Sequence, residues 1–213
     1  MLPRTLLPVA VVACAAACSP DLRPDDLDDG GAMPAVDRPG GSSPNNDRIT
    51  HTRDGAALVT RVDATASDQW VYLDLDRGEM AGVAMAGWDL QIQRFKIKSN
   101  GGVSGDGGVE IARLAGVTFD GVAEVPSAGW LTDVVDGDDG NTDPDYVFDQ
   151  HDTWYAYNVM DHSLAPRDLV YVVRTTERRV FKLKLTGYYD SAGTAGFVSF
   201  RWQEIVTPDA GAR

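Results

Sequence analysis

The sequence predicts an all-β fold: a single antiparallel β domain with a long irregular loop region and at most short helices. Three observations carry that prediction. Apolar and polar residues alternate over several short stretches, and turns rich in Gly, Asp and Ser separate those stretches. No segment of ten or more residues carries an apolar stripe at helical spacing.

The chain opens with MLPRTLLPVAVVACAAACSP, in which Arg4 precedes an apolar run from Leu6 to Ala13 and small residues lead into Cys18. The run is far shorter than the roughly 20 residues a bilayer helix needs, so residues 1–17 read as a signal peptide. Ala15-Ala16-Ala17-Cys18 supplies the small residues and thiol that lipoprotein processing requires, which makes Cys18 the expected lipidation site. Val11-Val12-Ala13-Cys14 fits the same pattern with an unusually short signal, and an ordinary soluble secretory signal is the remaining alternative. With Cys18 as the first mature residue, no other thiol is left for a disulfide, a metal knuckle or a nucleophile.

Residues 18–48 read as a disordered tether. From Ser19 to Arg48 there are five prolines, paired glycines and no aromatic residue, too little apolar surface to offset the entropy of ordering. The formal charge of -13 is unevenly placed: the tether holds seven Asp against three Arg, and residues 133–152 hold eight Asp with no Lys or Arg. The remainder is nearly balanced. Without a basic patch to displace counterions from phosphates, a nucleic-acid partner is not expected.

Residues 49–206 are one domain's worth, followed by a disordered tail at 207–213. Val71, Leu73 and Leu75 alternate with Tyr72, Asp74 and Asp76, which predicts a strand with one buried and one solvated face. In WDLQIQRFKIK, Trp88, Leu90 and Ile92 share one parity while Phe95 and Ile97 take the other, which predicts a β-bulge near Gln93-Arg94. Gly108 to Leu114 is the one place where a turn or two of helix is expected. The stretches LVYVVR, VFKLKLT and FVSFRWQEI, joined by TTERR and GYYDSAGTAG, predict a three-strand meander, each strand with one wet face. Between Gly121 and Arg167 the chain is loop-like and holds Trp130, Tyr146, Phe148, Trp154, Tyr155 and Tyr157. An irregular stretch this long, when ordered, tends to be functional.

Three segments, WVYLDLDRGE (Trp70 to Glu79), WDLQIQRFKIKSNGG (Trp88 to Gly102) and Leu169 to Gln203, resemble the HmuY-like haem-binding lipoproteins of bacterial cell surfaces in order and spacing. The resemblance implies an all-β domain that binds haem non-covalently for iron acquisition, anchored at the outer membrane or cell surface beside an outer-membrane haem transporter. It also implies two iron ligands, His or Met, from loops next to the core strands. The long Asp-rich insert departs from the family pattern at the first ligand position.

On that basis His162, in NVMDHSLAPRDLVYVVR, is the first candidate ligand for haem or a related porphyrin. An imidazole offers one nitrogen to iron and needs a partner for the other; Asp161 is adjacent. His151 and Met160 are candidates for the opposite axial position. His51, at the domain's edge, reads as solvated. Trp154 and Tyr157, with Trp130 and Tyr155, are candidate pocket walls, and Arg167 or Arg174 a candidate propionate partner. Ordinary core packing is the plainer reading of each aromatic.

The Asp-rich insert offers a rival. Asp136, Asp138, Asn141, Asp143 and Asp145 are hard oxygen ligands with glycines between them, as a calcium loop requires, although no Glu completes an EF-hand. The alternative function is a non-haem adhesion or structural lipoprotein with a calcium-stabilised loop. No GxSxG elbow, HExxH helix or phosphate loop is present, so an enzyme is not expected.

Overall fold

The computed structural model describes residues 46–80, 87–135, 144–150 and 152–206. The signal, Cys18, the tether up to residue 45 and the tail at 207–213 lie outside the described residues, as do His151, Asp136, Asp138, Asn141 and Asp143.

A short 3-10 turn, Asn46–Arg48, leads into a hairpin of β1 (Ile49–Asp54) and β2 (Ala57–Asp63). Next come β3 (Val71–Leu73), a 3-10 segment Leu75–Met80, and a second hairpin, β4 (Leu90–Gln93) and β5 (Lys96–Ser99). A 3-10 turn, Gly102–Ser104, precedes β6 (Glu110–Ala115) and the two-residue β7 (Trp130–Leu131). A third hairpin, β8 (Tyr155–Asn158) and β9 (Ser163–Pro166), is followed by β10 (Leu169–Arg174), β11 (Val180–Tyr189) and β12 (Ala195–Glu204). Every pairing is antiparallel. The fold is the all-β class the alternation predicts, and the expected meander is present as the adjacent strands β10, β11 and β12.

The large sheet runs β1-β2-β12-β11-β10-β6-β7, and β3-β4-β5 form a second sheet. The two pack face to face. Val71, Leu73, Leu90, Ile92 and Ile97 of the small sheet meet Tyr171, Leu183, Phe200 and Trp202 of the large one in a single apolar cluster. Burial of such side chains stabilises by about 1.5–3 kcal/mol each.

Four expectations from the sequence are corrected here. The parity switch at Gln93-Arg94 is a two-residue hairpin turn, not a β-bulge: Gln93 pairs with Lys96 and Ile92 with Ile97, so both isoleucines face the same side. The turn places Arg94 at φ 54, and its backbone N–H donates to Ala64 O at 2.9 Å while its guanidinium donates to Thr65 O and Ala195 O, both at 3.2 Å. Those bonds hold an otherwise unfavoured left-handed residue in place. Residues 108–114 do not form helix; Glu110–Ala115 is a strand paired with β10.

The meander does not keep one wet face throughout. Leu169, Tyr171 and Val173 of β10 enter the main core, whereas Val170 and Val172 enter a second cluster with Ala112, Phe119 and Val122. The 116–130 segment folds back to cover this face, and Lys182 is buried under it with Nζ donating to Val122 O at 3.0 Å. Nor are Asp74 and Asp76 on a solvated face: the Asp74 side chain is 6% exposed and that of Asp76 1%.

Buried carboxylates pin the irregular segments. Asp89, fully buried, accepts the N–H of Leu75 on one oxygen and of Thr176 on the other, both at 2.8 Å. Asp133 accepts the N–H of Ser99 at 2.8 Å and of Val147 at 3.0 Å. The backbone around Asp133 leaves no room for a side chain opposite it. A Cβ on Gly102, itself at φ +59, would meet Asp133 O at 1.9 Å, which accounts for a glycine at the end of the SNGG stretch.

Asp149 is a different case: its Oδ1 is buried without a partner. Burial pushes its carboxyl up to about 7, with Lys96 opposing and Asp133 and Asp145 reinforcing the rise.

Two predictions follow from these groups. Asp133→Ala leaves two buried N–H donors unsatisfied and should destabilise by about 2–4 kcal/mol, a fall in melting temperature of roughly 5–15 °C in a thermal melt. An unchanged melting temperature would show that the two N–H groups find other acceptors. For Asp149, the unfolded chain releases its proton near pH ~3.9 and the folded chain near 7. Between those values the folded state binds more protons, so stability from this group is lost as pH rises and is constant above about 7. Asp149→Asn should melt roughly 3–8 °C above the parent at pH ~8, the gap closing towards pH ~4. A variant that melts lower at pH ~8 would show that the ionised carboxylate makes a stabilising bond.

Candidate functional site

The β8–β9 hairpin builds a pocket against the β4–β5 turn. Tyr155 pairs with Pro166 and Tyr157 with Leu164, and alternation along β8 places Tyr155 and Tyr157 on one face. With Phe95, Thr153, Leu164 and Arg167 these side chains line a cavity of about 530 Å³. Phe95 and Tyr155 meet edge to face with centroids 5.6 Å apart. The walls are therefore aromatic and aliphatic, and the one full charge among the lining residues is Arg167.

The hairpin is held at both ends. Leu164 N donates to Tyr189 Oη at 2.8 Å, tying β9 to β11, and Arg167 N donates to Trp154 O at 2.8 Å. Arg167 Nε donates to Tyr155 O at 3.0 Å, so its guanidinium is oriented by the pocket's own backbone. Trp154 lies beneath: it is 1% exposed and its Nε1 donates to Phe95 O at 2.8 Å. Burial raises the Tyr155 hydroxyl above its usual range, with the charge of Asp149 adding to it, so this tyrosine stays neutral at physiological pH.

The turn between β8 and β9 carries two of the candidate ligands, Met160 and His162. Asn158 Oδ1 accepts Met160 N and Asp161 Oδ1 accepts Ser163 N, both at 3.0 Å, two local side-chain caps that shape the turn. His162 follows at φ 58, a left-handed conformation uncommon outside glycine, though less so for histidine than for most residues. Its Nδ1 is hydrogen-bonded to the Tyr157 hydroxyl. That bond leaves Nε2 as the atom free to meet a ligand, and the lone pair is on Nε2 when Nδ1 carries the proton and donates it to Tyr157.

Tyr157, Tyr155 and Arg167 thus line one pocket, and His162 joins it through Tyr157. The histidine's partner is Tyr157 and not the adjacent Asp161, whose carboxylate is held below its usual range by Ser163. Met160 is at the tip of the turn, 87% exposed, beside Val159 at 71%. Trp154 packs into the core as the pocket's floor support and is not among its lining residues. Trp130 and Arg174 are on the other face of the large sheet: the guanidinium stacks 4.0 Å over the Trp130 ring and pairs with Glu110. His51 is on β1, with Nδ1 2.8 Å from Thr60 Oγ1. Asp145 forms a β-bridge with Val134 through its backbone.

Phe95, Thr153 and Leu164 were not legible as pocket residues. The parity switch marks Phe95 as unusual, but only the hairpin turn brings it opposite β8.

Solved structures with this fold are known. A protein described as HmuY-like and heme binding from Bacteroides vulgatus matches with a TM-score of 0.57 and 16% identity, covering 75% of this chain and 99% of that one. The apo HmuY analogue of Tannerella forsythia matches with a TM-score of 0.55 and 18% identity, over 75% of this chain and 97% of that one. A Bacteroides fragilis protein described as a lipoprotein matches with a TM-score of 0.51 and 18% identity, over 75% and 96%. No curated protein matches the chain. The profile of the HmuY family, described as HmuY protein, matches residues 66–202, from the approach to β3 to Trp202 near the end of β12. That span takes in the small sheet, the large sheet except its β1–β2 hairpin, and the β8–β9 hairpin with the pocket it builds, and the chain belongs to the HmuY family.

Proposed function

We propose that this protein binds haem or a related porphyrin in the pocket between the β8–β9 hairpin and the β4–β5 turn, as a lipid-anchored surface protein that takes up haem for its iron. The observation that carries the reading is the junction of an apolar, aromatic-walled cavity with an oriented imidazole at its edge. The cavity volume falls within the usual range for small-molecule sites. A porphyrin needs flat apolar walls, a soft-to-borderline donor for iron and a cation for its propionates. Phe95, Tyr155, Tyr157 and Leu164 provide the walls, His162 the donor and Arg167 the cation.

In this reading the Tyr157 hydroxyl fixes the tautomer and orientation of His162, the part that a hydrogen-bond partner plays for a metal-binding histidine. Arg167, oriented by Tyr155 O, meets a propionate as a planar fork. Met160 or His151 would supply the second iron ligand. Family membership and the heme-binding description of the Bacteroides vulgatus protein support the ligand class. The lipoprotein description of the Bacteroides fragilis protein supports the anchor at Cys18. Delivery to an outer-membrane haem transporter completes the acquisition role.

Haemin titrated into the purified protein should give a saturable, one-to-one Soret change. His162→Ala should weaken binding by about tenfold or more and alter the spectrum. Tyr157→Phe, which keeps the ring wall but removes the hydroxyl, should weaken it by about tenfold through the histidine alone. Met160→Ala and His151→Ala, read in the same way, identify the second ligand. A spectrum that stays that of free haemin throughout the titration would refute the proposal.

A further inference from the structure

Three buried carboxylates converge at the junction of β3, the Leu75–Met80 segment and β4, away from the pocket. Asp74, Asp76 and Asp89 each present an oxygen within 4.8 Å of the others. Their hydrogen bonds can be followed atom by atom. Asp89 accepts Leu75 N on one oxygen and Thr176 N on the other. Asp74 Oδ2 meets Arg77 Nε at 2.9 Å. Asp76 Oδ1 accepts Thr175 Oγ1 at 2.9 Å and faces an Arg179 nitrogen at 3.7 Å. Two oxygens, Asp74 Oδ1 and Asp76 Oδ2, are buried without a hydrogen bond of good geometry, the backbone N–H groups of Asp76 and Arg77 acting on the first carboxylate and that of Glu177 on the second. A buried acceptor left unmatched is destabilising unless something meets it.

Positive charge is also short. Among the described residues Arg77 and Arg179 are the two cations in ion-pair range of the group, both substantially exposed, and Arg179 is committed to Glu204 through two bonds of 2.8 and 2.6 Å. Burial pushes the Asp89 carboxyl up to about 7 against the opposing N–H groups of Thr176 and Leu75, with smaller contributions from the charges of Asp76 and Asp74. One proton would neutralise one carboxylate. A divalent cation neutralises two charges and is met by all three residues at once.

We propose that Asp74, Asp76 and Asp89 form a calcium site that fastens the Leu75–Met80 segment to the small sheet and to the β10–β11 turn. The donor set is oxygen only, without imidazole or thiolate, which selects a hard cation. Asp76 also lines a second cavity of about 330 Å³ with Arg53, Arg77, Gly78, Arg179 and Glu204, which gives space beside the group for the waters that complete a calcium shell. The site is independent of the haem reading. It is also separate in sequence from the Asp-rich insert.

The test is a calcium titration of the EDTA-stripped full chain by calorimetry, with thermal melts in parallel. Wild type should bind one calcium at this site and melt about 5 °C or more higher with calcium in excess. Asp76→Asn should lose at least tenfold in affinity while keeping its circular dichroism, and in EDTA should melt no lower than wild type, because a repelling charge is gone. Asp138→Asn/Asp143→Asn should keep the binding. The proposal is overturned if calcium neither binds nor stabilises, or if binding survives Asp76→Asn and disappears with the Asp138/Asp143 change. Should Asp76→Asn fail to fold, wild-type crystals soaked in manganese decide: an anomalous peak between the three aspartates supports the site, and its absence there overturns it.

Discussion

Two sheets of unequal size share one core here, and their registration rests on the carboxylate of Asp89. Leu75 N is at the start of the 3-10 segment that follows β3, and Thr176 N is in the turn between β10 and β11. Asp89 joins them from the residue before β4, with its own N–H donated to Leu73 O at 2.7 Å and its carbonyl accepting Asn100 N at 2.9 Å. One side chain therefore links small sheet, 3-10 segment and large sheet. A neutral side chain of similar size accepts fewer hydrogen bonds, and an apolar one would strand two buried N–H groups. Apolar packing supplies most of the stability, but it is not directional. Bonds like these select one relative placement of the sheets from the many that would bury similar area.

Asp133 does similar work nearby, joining the end of β5 to Val147. The pocket depends on both. Phe95 projects from the β4–β5 turn, which the small sheet carries, whereas Tyr155, Tyr157 and Leu164 belong to a hairpin tied to β11 through Tyr189. The cavity exists because two separately anchored hairpins face one another. A porphyrin held there would contact elements fixed by the core on one wall and a short exposed hairpin on the other. The histidine sits on the exposed side, where its position depends on the Asn158 and Asp161 caps and on Tyr157.

Charge in this protein divides by burial. Exposed pairs such as Lys184 with Asp168 contribute little, since solvent screens them and long side chains lose entropy on pairing. The buried carboxylates Asp74, Asp76, Asp89 and Asp133 have their acidity weakened by burial. They remain tolerable because backbone N–H groups, hydroxyls or guanidiniums meet them, with the two exceptions that mark the proposed cation site.

How far the sequence reads depends on the range of the interaction. Period-2 alternation is local, so the β class, the β10–β11–β12 meander and the buried odd residues of β11 could be read without coordinates. The resemblance carried by WVYLDLDRGE and WDLQIQRFKIKSNGG was legible for the same reason, since each is a continuous run whose residues bond to one another. It also pointed to the stretch before β10 that holds Tyr157, His162 and Arg167, which reads as loop in the sequence and folds as the β8–β9 hairpin. What alternation cannot state is whether a polar residue's face meets water or a second layer. Lys182 and Asp74 look alike as polar positions in a strand, yet the 116–130 segment covers the first and the 3-10 segment encloses the second. The parity switch at Arg94 signalled a break, but a bulge and a two-residue turn shift parity identically. Sequence therefore determined the β class, the strands of the meander and the family; tertiary structure decided that 110–115 is a strand, which polar groups are buried, and that Phe95 faces β8, because each of these depends on residues distant along the chain.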